Sequence, residues 1–166
     1  MKNVAERLYS NKNQWLASQI DVDFPTPESV QGRELYQESL SSNYLDSLEP
    51  EFDDSLNIEW HKVDFHRLTV MFALLQAKRW SVEQHQNAVV EFFAQIILDE
   101  THDLYVGFDN TEPCAATIMC KEQSVVLFSD IVVCGNQQNT NPLAIIPSLI
   151  QTLDIAKESE LWIEKR

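Results

Sequence analysis

The sequence predicts an α/β (α+β) fold: a mixed, mostly antiparallel sheet with a parallel last pair of strands and helices on both faces. Three observations predict it. Asp103 to Val133 contains three apolar segments, DLYVGF, CAATIMC and SVVLFSDIVV, joined by two short turn sequences, the pattern of an antiparallel meander. The loop CGNQQNTN then leads into PLAIIPSLIQTLDIAKES, which has helical spacing. The last apolar segment, ELWIE, follows a helical crossover and so pairs in parallel.

Residues 1–54 form an N-terminal helical extension expected to pack on the core formed by residues 55–166. They hold 11 Asp and Glu against 4 Lys and Arg, with apolar patches around Leu8, Trp15, Leu16 and Ile20. Phe24-Pro25-Thr26-Pro27 breaks the first helical segment, because proline removes a backbone donor and restricts the residue before it. A second helix is expected over about Glu28 to Leu48, where Val30, Leu35, Tyr36, Leu40, Tyr44, Leu45 and Leu48 recur at helical intervals. Neither patch is large enough to support a core alone. The acidic run Glu49 to Asp54 is a solvated connector.

In Leu56 to Val63, Leu56, Ile58 and Trp60 alternate with polar neighbours, which predicts a half-buried strand. Asp64 is a candidate cap for a helix with Phe65, Leu68, Phe72 and Leu75 on one stripe. Ser81 and Gln84 have capping-box spacing ahead of a helix that buries Val82, Val89, Phe92, Phe93, Ile96 and Ile97. Turns follow at Asp109 to Pro113 and Lys121 to Ser124. Val125 to Val133 is the longest and most apolar strand and is expected to be central.

The chain has 166 residues and a formal net charge of −14. Nucleic acid is not an expected partner, since phosphate binding requires clustered Lys and Arg and only 12 are scattered here. The same charge disfavours an anionic membrane surface. No apolar run reaches the length of a membrane span, and MKNVAERLYSNKNQWL has no continuous apolar core of the kind a signal peptide carries. Cys114, Cys120 and Cys134 form no C-x-x-C pair and read as reduced, small apolar residues. A cytoplasmic location follows from these features. No metal centre is expected: Glu100, His102 and Asp103 cluster at a turn, but their spacing fits no standard ligand set.

The element order, with YVGFDNTEPCAATIMC and VVLFSDIVV at its centre, resembles the GNAT superfamily of acetyl-CoA-dependent N-acetyltransferases. The resemblance runs from about Leu56 to Arg166. It implies a GNAT-like acyl-CoA N-acyltransferase fold in which the central strand and the next one splay apart. Acetyl-CoA would then be the cofactor, with its pantetheine arm along Ile131, Val132 and Val133. The loop of Gln137, Gln138, Asn139, Thr140 and Asn141 would take the pyrophosphate beside the start of the next helix, where amides and helix dipole favour an anion. Asp130, near the end of the central strand, is the candidate general base for an amine acceptor, either a small molecule or a protein.

The family loop normally reads R/Q-x-x-G-x-G/A. Here Gln137 stands at the leading position, Asn139 and Asn141 occupy the places of glycines, and no Arg lies between Cys134 and Ala156. The family also continues through a further helix and two strands where this sequence reads ELWIEKR. The Leu161 to Glu164 edge is therefore expected to be covered by a second copy in a homodimer, by another partner, or by the N-terminal helices. Two functions fit these observations: transfer of acetyl from acetyl-CoA to an unknown amine, or a non-catalytic acetyltransferase-like scaffold for protein interaction or dimerisation.

Overall fold

The computed structural model describes residues 1–166. Two helices open the chain, α1 (Lys2–Ser18) and α2 (Pro27–Ser39). Then follow β1 (Tyr44–Ser47), β2 (Glu59–Lys62), α3 (His66–Ala77), α4 (Glu83–Phe93), β3 (His102–Asp109), β4 (Glu112–Glu122), β5 (Val125–Val133), α5 (Pro142–Ile150) and β6 (Glu160–Lys165). The six strands form one sheet in the order β1-β6-β5-β4-β3-β2. Every neighbouring pair is antiparallel except β5 and β6, which pair in parallel.

Alternation along the strands separates two cores. On one face Leu104, Val106, Ile118, Cys120, Val125 and Leu127 meet the buried residues of α1 to α4. On the other, Tyr105, Met119, Val126, Phe128 and Ile163 pack under Ile145, Ile146 and Leu149 of α5. Residues 1–54 enter the first core directly, through Val4, Leu8, Leu16, Ile20 and Tyr36. The Tyr36 ring meets Phe93 edge-on at 5.5 Å, a geometry that adds about 0.5–1.5 kcal/mol beyond area burial. Gly32 lets α2 lie against α4 closely, since a Cβ there would meet the Ala88 carbonyl oxygen at 2.1 Å.

Local chemistry sets several boundaries. Thr26 caps α2, its hydroxyl oxygen accepting from the Ser29 amide at 3.2 Å, and Pro27 fills the first turn where no donor is needed. Asp64 and Ser81 do not cap: Phe65 and Val82 occupy the cap positions of α3 and α4, one residue further along, without side-chain bonds. The helix expected over Pro142 to Ser159 stops at Ile150. Beyond it the Thr152 and Leu153 amides bond carbonyls three residues back, so the chain leaves the helix through tight turns.

The segment expected to be helical from Glu28 to Leu48 divides in two. After Ser39 a 3₁₀ turn covers Leu40–Ser42, and Tyr44–Ser47 becomes β1, pairing Tyr44 with Lys165 and Ser47 with Trp162. The Leu48 amide extends the ladder to the Leu161 carbonyl at 2.8 Å, and Lys165 Nζ reaches Asp46 at 2.8 Å. Pairing with a waiting strand overrides the helical spacing. It also corrects the expected homodimer edge: Leu161 to Glu164 is covered within the chain by β1, and β1 is the outer strand there.

Candidate functional site

The site begins at an irregularity in β5. Opposite β4 the register runs Ile118 to Ser129 and then Ala116 to Val132, so β5 carries one extra residue, a β-bulge. Asp130 sits in it with φ 53°, in the left-handed region that β-strand residues rarely enter. The bulge lets Ser129 and Asp130 both turn to the helical face, where the Ser129 hydroxyl donates to Asp130 Oδ2 at 2.8 Å.

The parallel ladder between β5 and β6 covers Val125 to Phe128 against Glu160 to Ile163 and then ends. Past the bulge, side chains replace it. The Asp130 amide donates to Glu164 Oε1 at 2.8 Å, Gln76 donates to the Asp130 carbonyl at 2.7 Å, and Arg166 donates to the Ile131 carbonyl at 3.1 Å. Past the bulge the link between the two strands is therefore made by side chains and not by a backbone ladder.

Asp130 is completely buried and engages both carboxylate oxygens. Lys12 Nζ, itself fully buried, donates to Oδ2 at 2.6 Å, and the Tyr36 hydroxyl donates to Oδ1 at 2.7 Å. Arg79 stands 3.6 Å away. Burial alone would raise the Asp130 pKa. The Lys12 ammonium and Arg79 guanidinium, with the bonds from Lys12 and Tyr36, outweigh it and hold the carboxyl well below the usual range. Burial and the Asp130 and Glu164 charges push the Tyr36 hydroxyl well up. Tyr9 donates to Glu164, and burial with that carboxylate raises its pKa too. Asp130, proposed from sequence as a general base, is thus directed into the core: its oxygens are committed and no cleft reaches it.

Three hollows surround the start of α5. One of about 540 Å³ lies at the end of β5 and is lined by Ile131, Val132, Val133, Gln138 and Thr140 together with Lys78, Arg79 and Arg166. A second, about 390 Å³, shares Ile131, Pro142 and Arg166 with it and adds Tyr44 and Glu164. A third, about 400 Å³, shares Asn141 and Leu143 with the second and adds Glu49, Glu51 and Asp53.

The residues expected to hold a cofactor are distributed unevenly around these hollows. Ile131, Val132, Val133, Gln138 and Thr140 line the largest, Asn141 lines the other two, and Gln137 and Asn139 line none of the three. Gln137 is turned aside: its amide nitrogen donates to Asp109 at 3.2 Å, and its oxygen accepts from the Thr140 hydroxyl at 2.7 Å. Asn141 caps α5 by accepting from the Leu143 amide at 3.0 Å. The left-handed turn of the loop falls at Gly135 (φ 63°) and not at Asn139 or Asn141. Cys134 is buried, and burial, opposed in part by Lys78, raises its pKa, so it is an inert thiol.

Sequence reasoning missed Lys12, Tyr36, Lys78, Arg79 and Arg166. One signal was present: Lys12 falls between Leu8 and Leu16 on the buried stripe of α1, where a lysine needs a partner. Lys78, Arg79 and Arg166 carry no local signal, because they meet only through the packing of α3 against the end of β5.

No protein-family model matches the chain, and no curated protein matches it. Among solved structures, the chain is similar to a functionally unknown conserved protein from Staphylococcus epidermidis ATCC 12228, with a TM-score of 0.53 and 11% sequence identity. The likeness covers 80% of this chain and 56% of that one, so this chain spans little more than half the length of that protein. At that identity the likeness shows the fold alone.

Proposed function

We propose that this chain is a GNAT-like protein that binds acetyl-CoA where the ladder between β5 and β6 ends and transfers acetyl to an amine. The observation that carries the reading is the bulge at Asp130, where that ladder gives way to side chains beside hollows of about 540 and 390 Å³ at the start of a helix. The strand–helix–helix–meander–helix–strand order from β2 to β6 supports it. The pantetheine arm would follow Ile131 to Val133. The amine nitrogen, entering uncharged, would bond to the thioester carbon as the carbon–sulfur bond breaks, its proton passing to water and the CoA thiolate leaving, in a ternary complex needing no enzyme-bound intermediate. With Asp130 sealed, its role is to fix the bulge. Tyr44, whose hydroxyl belongs to a residue lining the smaller hollow, is then the candidate to return a proton to the departing thiolate. An acidic surface suits a cationic acceptor.

A second reading is a non-catalytic scaffold for protein interaction or dimerisation. It is favoured by the absence of any carboxylate or histidine among the residues lining the 540 Å³ cleft. Thermal melting separates the cases at the first step. At about 100 times the dissociation constant, acetyl-CoA adds about 2.7 kcal/mol, which raises the melting temperature of a domain this size by about 5–10 °C. A rise together with acetyl-CoA consumption when polyamines or basic peptides are supplied supports the transferase. A rise without turnover leaves a cofactor binder whose acceptor is unidentified, and no rise at millimolar acetyl-CoA rejects the transferase and points to the scaffold.

A further inference from the structure

The 540 Å³ cleft is lined by Lys78, Arg79 and Arg166 and by no Asp or Glu, on a chain whose formal net charge is −14. Lys78 and Arg79 directly follow α3 and Arg166 follows β6, so tertiary packing concentrates a quarter of the 12 cationic side chains here. The Arg79 side chain is 7% exposed and firmly held, with bonds to Gln76 at 3.1 Å and Ser39 at 3.3 Å and its guanidinium 4.9 Å from the Trp80 ring.

The buried side chains of Lys12 and Arg79 are matched by the buried Asp130 and Glu164, while Lys78 and Arg166, exposed at the cleft, have no ion-pair partner in the chain. Arg166 forms no ion pair within the chain and donates a hydrogen bond to the Ile131 carbonyl. A guanidinium fork matches a phosphate in two bonds and an ammonium adds a point charge, so one dianionic group would satisfy both Arg166 and Lys78. The loop Gln137 to Asn141 is poorly placed to compete: Gln137 already bonds Asp109 and Thr140, and Asn141 bonds the Leu143 amide.

We infer that Lys78, Arg79 and Arg166 form a phosphate site that anchors the phosphate or pyrophosphate end of the ligand, in place of the loop Gln137 to Asn141. For the ligand's identity the inference rests on the acetyl-CoA reading; the anchor itself rests on the cleft's charges. Lys78 and Arg166 are exposed, so changing them leaves the core packing untouched.

The test is titration calorimetry with sodium pyrophosphate, acetyl-CoA and pantetheine against the wild-type chain, Lys78→Glu, Arg166→Ala and, as a control outside the cleft, Lys62→Ala. The inference predicts that each cleft variant weakens pyrophosphate and acetyl-CoA about tenfold or more, leaves pantetheine unchanged, and that Lys62→Ala changes nothing. Pyrophosphate affinity should also fall as salt is raised. Pyrophosphate binding that needs Lys78 and Arg166, with acetyl-CoA no tighter, upholds the phosphate site and removes the acetyl-CoA reading. Acetyl-CoA binding that survives both variants overturns the inference and leaves that reading standing. Binding of neither ligand overturns both.

Discussion

Asp130 combines a left-handed backbone with complete burial, and its carboxylate ties three elements together: α1 through Lys12, α2 through Tyr36 and α3 through Arg79. Removing one side of a buried pair leaves a charge without compensation, which costs about 3–5 kcal/mol. Asp130→Asn and Lys12→Met should each lower unfolding free energy by that order in urea titration, and the double variant should lose clearly less than the sum. Stability should also depend on acid. The folded pKa of Asp130 lies below its ordinary value, so its contribution is complete above about pH 4 and is lost as pH falls toward the folded value. Asp130→Asn should flatten that acid limb; an unchanged limb would place its origin in other carboxylates. At this scale the sequence showed Lys12 on an apolar stripe and Asp130 at a strand end, but not that the two meet, because 118 residues separate them.

Among the elements, the meander β3 to β5 and the parallel β6 were legible because alternation and turn residues are local signals. β1 was not: Tyr44, Leu45 and Leu48 fit a helix as well as a strand, and β6, 115 residues downstream or more, decides between them. The helix ends were misread for a related reason, since Asp64 and Ser81 have cap chemistry one residue from where the chain turns. Close approach between elements was equally hidden. Gly32 in α2 has the Ala88 backbone where a side chain would stand, so Gly32→Ala must push α2 away from α4. That overpacking should cost about 1–3 kcal/mol despite the better helix propensity of alanine, read as a fall in the denaturant midpoint. A gain in stability would show that α2 moves freely on α4.

Across the whole molecule, charge is sorted by the fold. The chain carries a formal net charge of −14, while the end of β5 gathers Lys78, Arg79 and Arg166 around a cleft. No helix is long and apolar enough to cross a membrane. Composition alone argues against an anionic ligand; the fold brings the residues after α3 and after β6 to the same strand terminus, and the proposed phosphate site rests on that arrangement. The central claim is that acetyl-CoA binds there, and amide hydrogen exchange with and without acetyl-CoA tests it most directly. The account predicts slowed exchange at Lys78 and Arg79, at Ile131 to Cys134 and at the last residues of β6, which line the cleft and the hollow beside it, with the surface of α4 unaffected. Protection confined to another face, or none at saturating acetyl-CoA, would contradict it.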